Sequence, residues 1–137
     1  TEEGLKQIEK YWSEKFSLNG LNLTDGSGLS RSNAISAAHF CSLLKAMSLS
    51  KNHSVYFSTL PIAGKSGTIS GLCKDQQGEG KVVAKSGTMS RIKSYAGYIN
   101  SNSGKKIAFA ITVSNFNNSS NDVVHKMEKV LNALAVY

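Results

Sequence analysis

The sequence predicts a mixed α/β domain in which helices pack on a three-stranded antiparallel sheet. Apolar residues near both ends of the chain repeat at steps of three and four, which is typical of amphipathic helices. Between residues 81 and 113 the repeat changes to two, as in β-strands. Because the strands follow one another without intervening helices, we expect them to pair antiparallel and a closing helix to lie on the sheet. The chain of 137 residues, 40% of them hydrophobic, is long enough for one such domain.

The first predicted helix is amphipathic. Its apolar stripe consists of Leu5, Ile8, Trp12 and Phe16. We expect Trp12 and Phe16 to lie in the core, Thr1 to cap the helix and Asn19-Gly20 to end it.

A second helix is predicted from about Ser36 to Met47, with Ser36 as its N-cap. Cys41 on its apolar stripe is expected to be a small core residue, and a disulfide between Cys41 and Cys73 stays open. The last helix is predicted to begin near Asn121 or Asp122. Its apolar side comprises Val123, Val124, Met127, Val130, Leu131 and Leu134.

The strands are predicted at residues 81–88, 94–99 and 106–113, with a hairpin turn at residues 100–104. The third strand is apolar on both faces, which favours a central or covered position. Residues 55–60 are ambiguous, and residues 63–80 are rich in Gly, Ser and Lys. A loop of that length in a small domain is often functional.

The composition argues against several classes of protein, although a basic nucleic-acid binder stays open as an alternative function. The net charge is +7, but the lysines are scattered, and arginine occurs only at Arg31 and Arg91. A nucleic-acid interface usually gathers such charges with aromatic residues on one face, so we expect no nucleic-acid partner, only a general attraction to anionic polymers such as cell-wall material. No apolar run is long enough to span a membrane, and the acidic start at Thr1 does not have the pattern of a signal peptide. The spacing of the two cysteines gives no metal site, and no cofactor is expected.

The segment Lys85-Ser86-Gly87-Thr88 is the strongest candidate site. It follows the strand-like Val-Val-Ala run, whereas the identical tetrapeptide that begins at Lys65 lies in the long loop. It resembles the Lys-Thr-Gly element of penicillin-recognising serine acyltransferases, with Ser in place of Thr. In that element the lysine supplies positive charge and the hydroxyl binds a substrate carboxylate. The glycine leaves room for a ligand backbone, and the next residue offers its N–H to an oxyanion.

A wider resemblance covers the chain from about Leu21 to Val113. Its segments, in order, are Asp25-Gly-Ser-Gly-Leu-Ser-Arg31 followed by Asn33, Leu60-Pro-Ile-Ala-Gly64, Gly80 to Thr88, and Tyr95-Ala-Gly-Tyr98. Together they resemble the D-Ala-D-Ala carboxypeptidases of peptidase family S13, the penicillin-binding protein 4 type. The resemblance implies a partial penicillin-binding protein/β-lactamase-like transpeptidase domain. Residues 1–137 would be the C-terminal part, and the nucleophilic Ser-x-x-Lys and the Ser-x-Asn would lie upstream, outside this chain.

The resemblance also implies the activity. The parent enzyme would be a serine-type hydrolase that acts on peptidoglycan stem peptides ending in D-Ala-D-Ala, in the periplasm or cell envelope, with β-lactams as inhibitors. Lys85, Ser86 and Gly87 would belong to the catalytic site, and Ser86 and Thr88 would contact the substrate. The isolated chain would be inactive. The resemblance is equally compatible with a carboxypeptidase and with an endopeptidase that cleaves cross-links.

Alternatives remain at three points. Ser42-Leu-Leu-Lys45 matches Ser-x-x-Lys on a helix, but it lies on the wrong side of the Asp25–Arg31 segment for the family. That segment is either a substrate-side loop or, as turn chemistry favours, a self-satisfied turn. The chain could also be a non-catalytic domain of the same fold that binds peptidoglycan or a protein. Because a partial sheet exposes an edge or an apolar face, we expect a homo-oligomer or association with the missing N-terminal half.

Overall fold

A computed structural model describes residues 2–117 and 119–137. The described part contains four helices and three strands, which confirms the predicted mixed α/β class. The elements are α1 (Glu2–Ser13), α2 (Ala37–Ser48), α3 (His53–Thr59), β1 (Val82–Met89), β2 (Ile92–Asn100), β3 (Lys106–Ser114) and α4 (Ser120–Val136), with a short 3₁₀ turn at Gly67–Ile69.

The three strands form one antiparallel sheet in the order β1-β2-β3. The predicted hairpin turn joins β2 to β3. The central strand is therefore β2, and of the two positions predicted for the third strand, central or covered, the structure shows the covered one. The apolar character of β3 comes instead from its cover, because both α2 and α4 pack against it.

Helix α4 covers one face of the sheet and forms the main core. Ser119 caps it by accepting a hydrogen bond from the N–H of Asp122 at 3.2 Å. Its buried apolar residues are Val123, Met127, Leu131 and Ala135. Among the buried sheet residues in this core are Val82, Ala84, Tyr95, Ile99 and Phe109. Val130, predicted on the apolar side, is 48% exposed.

Helix α2 covers the opposite face. Its cap is the predicted one, because Ser36 Oγ accepts from the N–H of His39 at 3.1 Å. The buried Tyr98 hydroxyl donates to the carbonyl of Leu44 at 2.7 Å and so ties β2 to this helix. Cys41 is only half-buried, so the prediction that it is a core residue is wrong. Cys41 and Cys73 are both free thiols and form no disulfide with each other. The ambiguous segment at residues 55–60 belongs mainly to α3.

Helix α1 differs most from its prediction. It ends at Ser13 rather than near Asn19-Gly20, and none of its described residues is buried. Trp12 and Phe16 are half-buried and pack on each other, so the prediction that they lie in the core is wrong. Their partners are apolar residues of the following segment and of α2, around a cavity of about 120 Å³, and not the sheet. The predicted cap at Thr1 lies outside the described residues.

Candidate active site

The candidate segment occupies the second half of β1, an edge strand of the sheet. The first three residues of β1 are buried, whereas Lys85 and Thr88 are exposed and Ser86 and Gly87 are half-buried. The predicted position of the tetrapeptide, on a strand at the rim of the sheet, is therefore the observed one.

The outer edge of β1 is open along this segment. Upstream, the N–H of Ala84 donates to the Pro61 carbonyl at 3.0 Å, and the N–H of Ala63 donates to the Val82 carbonyl at 2.9 Å. Because the direction of the backbone N–H groups alternates along a strand, the N–H groups of Ser86 and Thr88 also point away from β2, as that of Ala84 does. Within the described ranges neither of their N–H groups has a backbone acceptor. An extended ligand can therefore add along this edge as a further strand.

Side chains at this edge supply cations and hydroxyl groups. Lys85 Nζ donates to the carbonyl oxygen of Ser86 at 2.7 Å, and Lys93 Nζ donates to Thr88 Oγ1 at 2.8 Å. Ser86 Oγ lies 2.8 Å from Thr68 Oγ1. Positive charge beside hydroxyl and N–H donors is suited to a carboxylate.

Sequence reasoning missed Lys93 and Thr68. The register sets Lys93 directly opposite Thr88, so a two-residue turn at Ser90-Arg91 would have revealed it. Thr68 belongs to the first Lys-Ser-Gly-Thr tetrapeptide, at residues 65–68, and only the path of the loop brings it to Ser86. No signal in the sequence gives that path.

Gly87 leaves room for a side chain of the neighbouring strand. A Cβ at this position would lie 2.6 Å from Ser94 Oγ, on the neighbouring strand. The absent side chain therefore accommodates Ser94, a reason distinct from the expected approach of a ligand.

The loop at residues 63–80 is held firmly, and its lysine is engaged. Lys65 forms an ion pair with Glu79. The hydrogen bond between them raises the pKa of Lys65 and lowers the pKa of Glu79. The side chain of Lys65 therefore links two ends of the loop through Glu79, whereas Lys85 lies at the edge of β1.

Helix α4 anchors the same loop through a buried carboxylate. Glu128 is 5% exposed and accepts the N–H of Cys73 at 2.7 Å, while His125 Nδ1 lies 3.0 Å from its other oxygen. Burial, and then the charge of Glu128, raise the pKa of the Cys73 thiol to about 12. At neutral pH Cys73 is therefore a protonated packing residue and not a nucleophile.

The Asp25–Arg31 segment forms a self-satisfied turn. Asp25 accepts hydrogen bonds from Ser27 Oγ at 2.5 Å, from Asn33 Nδ2 at 2.5 Å and from the N–H groups of Leu29 and Ser30 at 3.3 Å each. The bonds from Ser27 and then Asn33 lower the pKa of Asp25 to about 2. This geometry supports the turn alternative.

The remaining candidates lie elsewhere. Ser42 and Lys45 line an open groove of about 570 Å³ between α1 and α2, to which β1 contributes no residue. In the described ranges, no group of His, Cys, Asp and Glu residues could hold a metal ion. Across those ranges, too, no helix is long and apolar enough to cross a membrane.

Comparison with solved structures places the fold among penicillin-binding proteins. Penicillin-binding protein 4 (dacB) from Haemophilus influenzae matches 98% of the chain with a TM-score of 0.85 and 26% identity. The same protein complexed with a β-lactam matches with a TM-score of 0.81 and 28% identity. The chain spans 32% of the length of that protein.

Comparison with protein families gives the family itself. The model of the D-Ala-D-Ala carboxypeptidase 3 (S13) family matches residues 2–135, and the chain belongs to this family. The D-alanyl-D-alanine carboxypeptidase of Actinomadura sp. strain R39 is 37% identical over 97 residues, which are 67% of this chain and 18% of that enzyme. The resemblance predicted from the motifs is thus confirmed.

Proposed function

We propose that the chain is the C-terminal part of a serine-type D-Ala-D-Ala carboxypeptidase and holds the carboxylate end of a peptidoglycan stem peptide. The observation that carries this proposal is the position of Lys85–Thr88 at the open edge of β1, in a chain of the S13 family. An extended peptide that ends in a carboxylate matches both features of this edge, its outward N–H groups and its cations.

Each residue has a role that follows from its chemistry. Lys85 provides positive charge beside the terminal carboxylate, and the hydroxyl of Ser86 donates a hydrogen bond to it. Gly87 leaves the space beside it to the side chain of Ser94. The outward N–H of Thr88 is one donor to the oxyanion that develops on the scissile carbonyl.

The acyl-transfer step needs a serine from outside this chain. Its hydroxyl oxygen attacks the carbonyl of the penultimate D-Ala, and the terminal D-Ala leaves as the amine after taking up a proton. Water then hydrolyses the ester and regenerates the serine. β-Lactams carry a carboxylate and a strained amide at similar positions, so we propose that they occupy the same edge and inhibit the parent enzyme. The cell envelope or periplasm, where peptidoglycan stem peptides are found, is the proposed location.

A titration of the chain with an N-acylated peptide ending in D-Ala-D-Ala tests the proposal. NMR shifts are expected at residues 85–88, and none are expected with the same peptide ending in an amide. Ser86→Ala is expected to weaken binding by about fivefold, the value of one hydrogen bond. Ser70→Ala, which removes an exposed hydroxyl from the neighbouring loop, is the matched control and should bind normally.

Two results would contradict the proposal. The first is equal binding of the acid and amide peptides, which would remove the carboxylate from recognition. The second is covalent labelling of this chain by a fluorescent penicillin, because it would locate a nucleophile within the chain and direct attention to Ser42.

A further inference from the structure

The contact between Thr68 and Ser86 links two segments that lie 18 residues apart. The turn that carries Thr68 is fixed on both sides. Ile69 is 1% exposed, and Ser66 Oγ accepts the N–H of Ile62 at 3.0 Å. Gly67 has a φ of +59° and leaves no room for a side chain, since a Cβ there would lie 2.8 Å from Pro61 Cβ. Thr68 is thus an exposed residue on a rigid support.

We propose that Thr68 is a positioning residue for Ser86, and this inference rests on the proposed function. The hydroxyl of Thr68 donates to Ser86 Oγ, so the proton of Ser86 remains available for the carboxylate of the ligand. Two hydroxyls in contact share one bond, and only this direction leaves Ser86 a donor toward an anion. Thr68 has no second side-chain partner among the residues that the structure describes.

The need for such a contact follows from the residue at position 86. A threonine there would have a restricted χ1 because of its β-methyl group, whereas serine rotates among three rotamers. A hydrogen bond from Thr68 selects one of these rotamers. Thr68 thereby supplies the orientation that serine, unlike threonine, does not provide by itself. The same bond polarises the Ser86 hydroxyl and strengthens it as a donor.

Substitutions at position 68 test this role in the full chain, with two readouts. The first is the χ1 distribution of Ser86, obtained from three-bond NMR couplings without ligand. The second is the affinity for the N-acylated D-Ala-D-Ala peptide. Thr68→Val keeps the shape and removes the hydroxyl. It is expected to average χ1 and to raise Kd by about fivefold, the value of one hydrogen bond.

Three further variants separate positioning from a general loss of structure. Thr68→Ser is expected to restore both readouts, because it keeps the hydroxyl. Thr112→Val, at an exposed position on β3, is the matched control and should change neither. Ser86→Thr is expected to suppress the effect of Thr68→Val, since the β-methyl group then restricts χ1.

A double-mutant cycle separates the failure of this inference from the failure of the proposed function. In the Ser86→Ala background, Thr68→Val is expected to cost nothing more. An additive loss would show that Thr68 binds the peptide directly and would overturn the positioning role. If Ser86→Ala weakens binding but Thr68→Val alters neither readout, the inference fails alone. If Ser86→Ala has no effect on binding, the proposed function fails.

Discussion

At the scale of single residues, hydrogen-bond partners distinguish two identical tetrapeptides. Lys65 is held by Glu79, and Ser66 Oγ accepts the N–H of Ile62, so the lysine and the serine of the first tetrapeptide are engaged within their own loop. Among the residues that the structure describes, the side chain of Lys85 bonds only to the carbonyl of the adjacent Ser86, on the open edge of β1. The sequence alone favours the second tetrapeptide through its strand context, and the contacts supply the physical reason.

Asp25 shows how such partners determine a pH dependence. Its pKa is lowered from 3.8 to about 2, first by Ser27 and then by Asn33. Because the folded pKa lies below the unfolded one, the carboxylate stabilises the turn fully above about pH 4. That contribution is lost as the pH falls through about 2. We expect Ser27→Ala to raise the pKa of Asp25, measured by NMR titration of its carboxyl carbon.

Ser32→Ala is the control for this titration, because Ser32 donates no side-chain hydrogen bond to Asp25. It should leave the pKa near 2. An equal midpoint for Ser27→Ala and the unsubstituted chain would mean that the Ser27 hydroxyl does not lower the pKa of Asp25.

At the scale of elements, the sequence predicts what is periodic and local. The three strands and α4 begin and end close to their predicted positions, because a repeat of two and a repeat of three to four leave clear patterns. Helix α3 has seven residues, too few to show a period, and it is stabilised by packing of His53 and Phe57 on Tyr98. The hydroxyl of Thr68 reaches the site through the fold of a loop, which leaves no periodic pattern.

The close approach of β1 and β2 gives a prediction at the same scale. Gly97 lies opposite Ala84, and a Cβ there would clash with the carbonyl oxygen of Val83 and lie 2.6 Å from Ala84 Cα. Backbone atoms cannot move aside cheaply. We therefore expect Gly97→Ala to lower the free energy of unfolding by about 3 kcal/mol, measured by urea denaturation.

Gly71→Ala provides the comparison, because a Cβ at that position meets no atom within 4 Å. Its free energy of unfolding should change by no more than about 0.5 kcal/mol. A similarly small change for Gly97→Ala would show that β1 and β2 are farther apart in solution than in this structure.

At the scale of the whole molecule, the layers cover the sheet unequally. The faces are covered by α4 and α2, but within the described residues β3 and the second half of β1 leave open edges on either side. Helix α1 buries none of its described residues and borders the groove of about 570 Å³ that α2 lines on its other side. Leu49 at this groove is 80% exposed. Apolar surface beside a groove is typical of an interface that a further chain covers.

We therefore expect the chain in isolation to self-associate through the groove between α1 and α2. Light scattering should give a mean mass above the 14.7 kDa of one chain that increases with concentration. Leu49→Lys should shift the population toward the monomer, because a charge cannot be buried there without a partner. Val130→Lys, at a site 48% exposed on α4, is the matched control and should leave the proportion of monomer unchanged. A constant 14.7 kDa at all concentrations would show that the groove between α1 and α2 does not join two copies, and that open sheet edges do not drive association here.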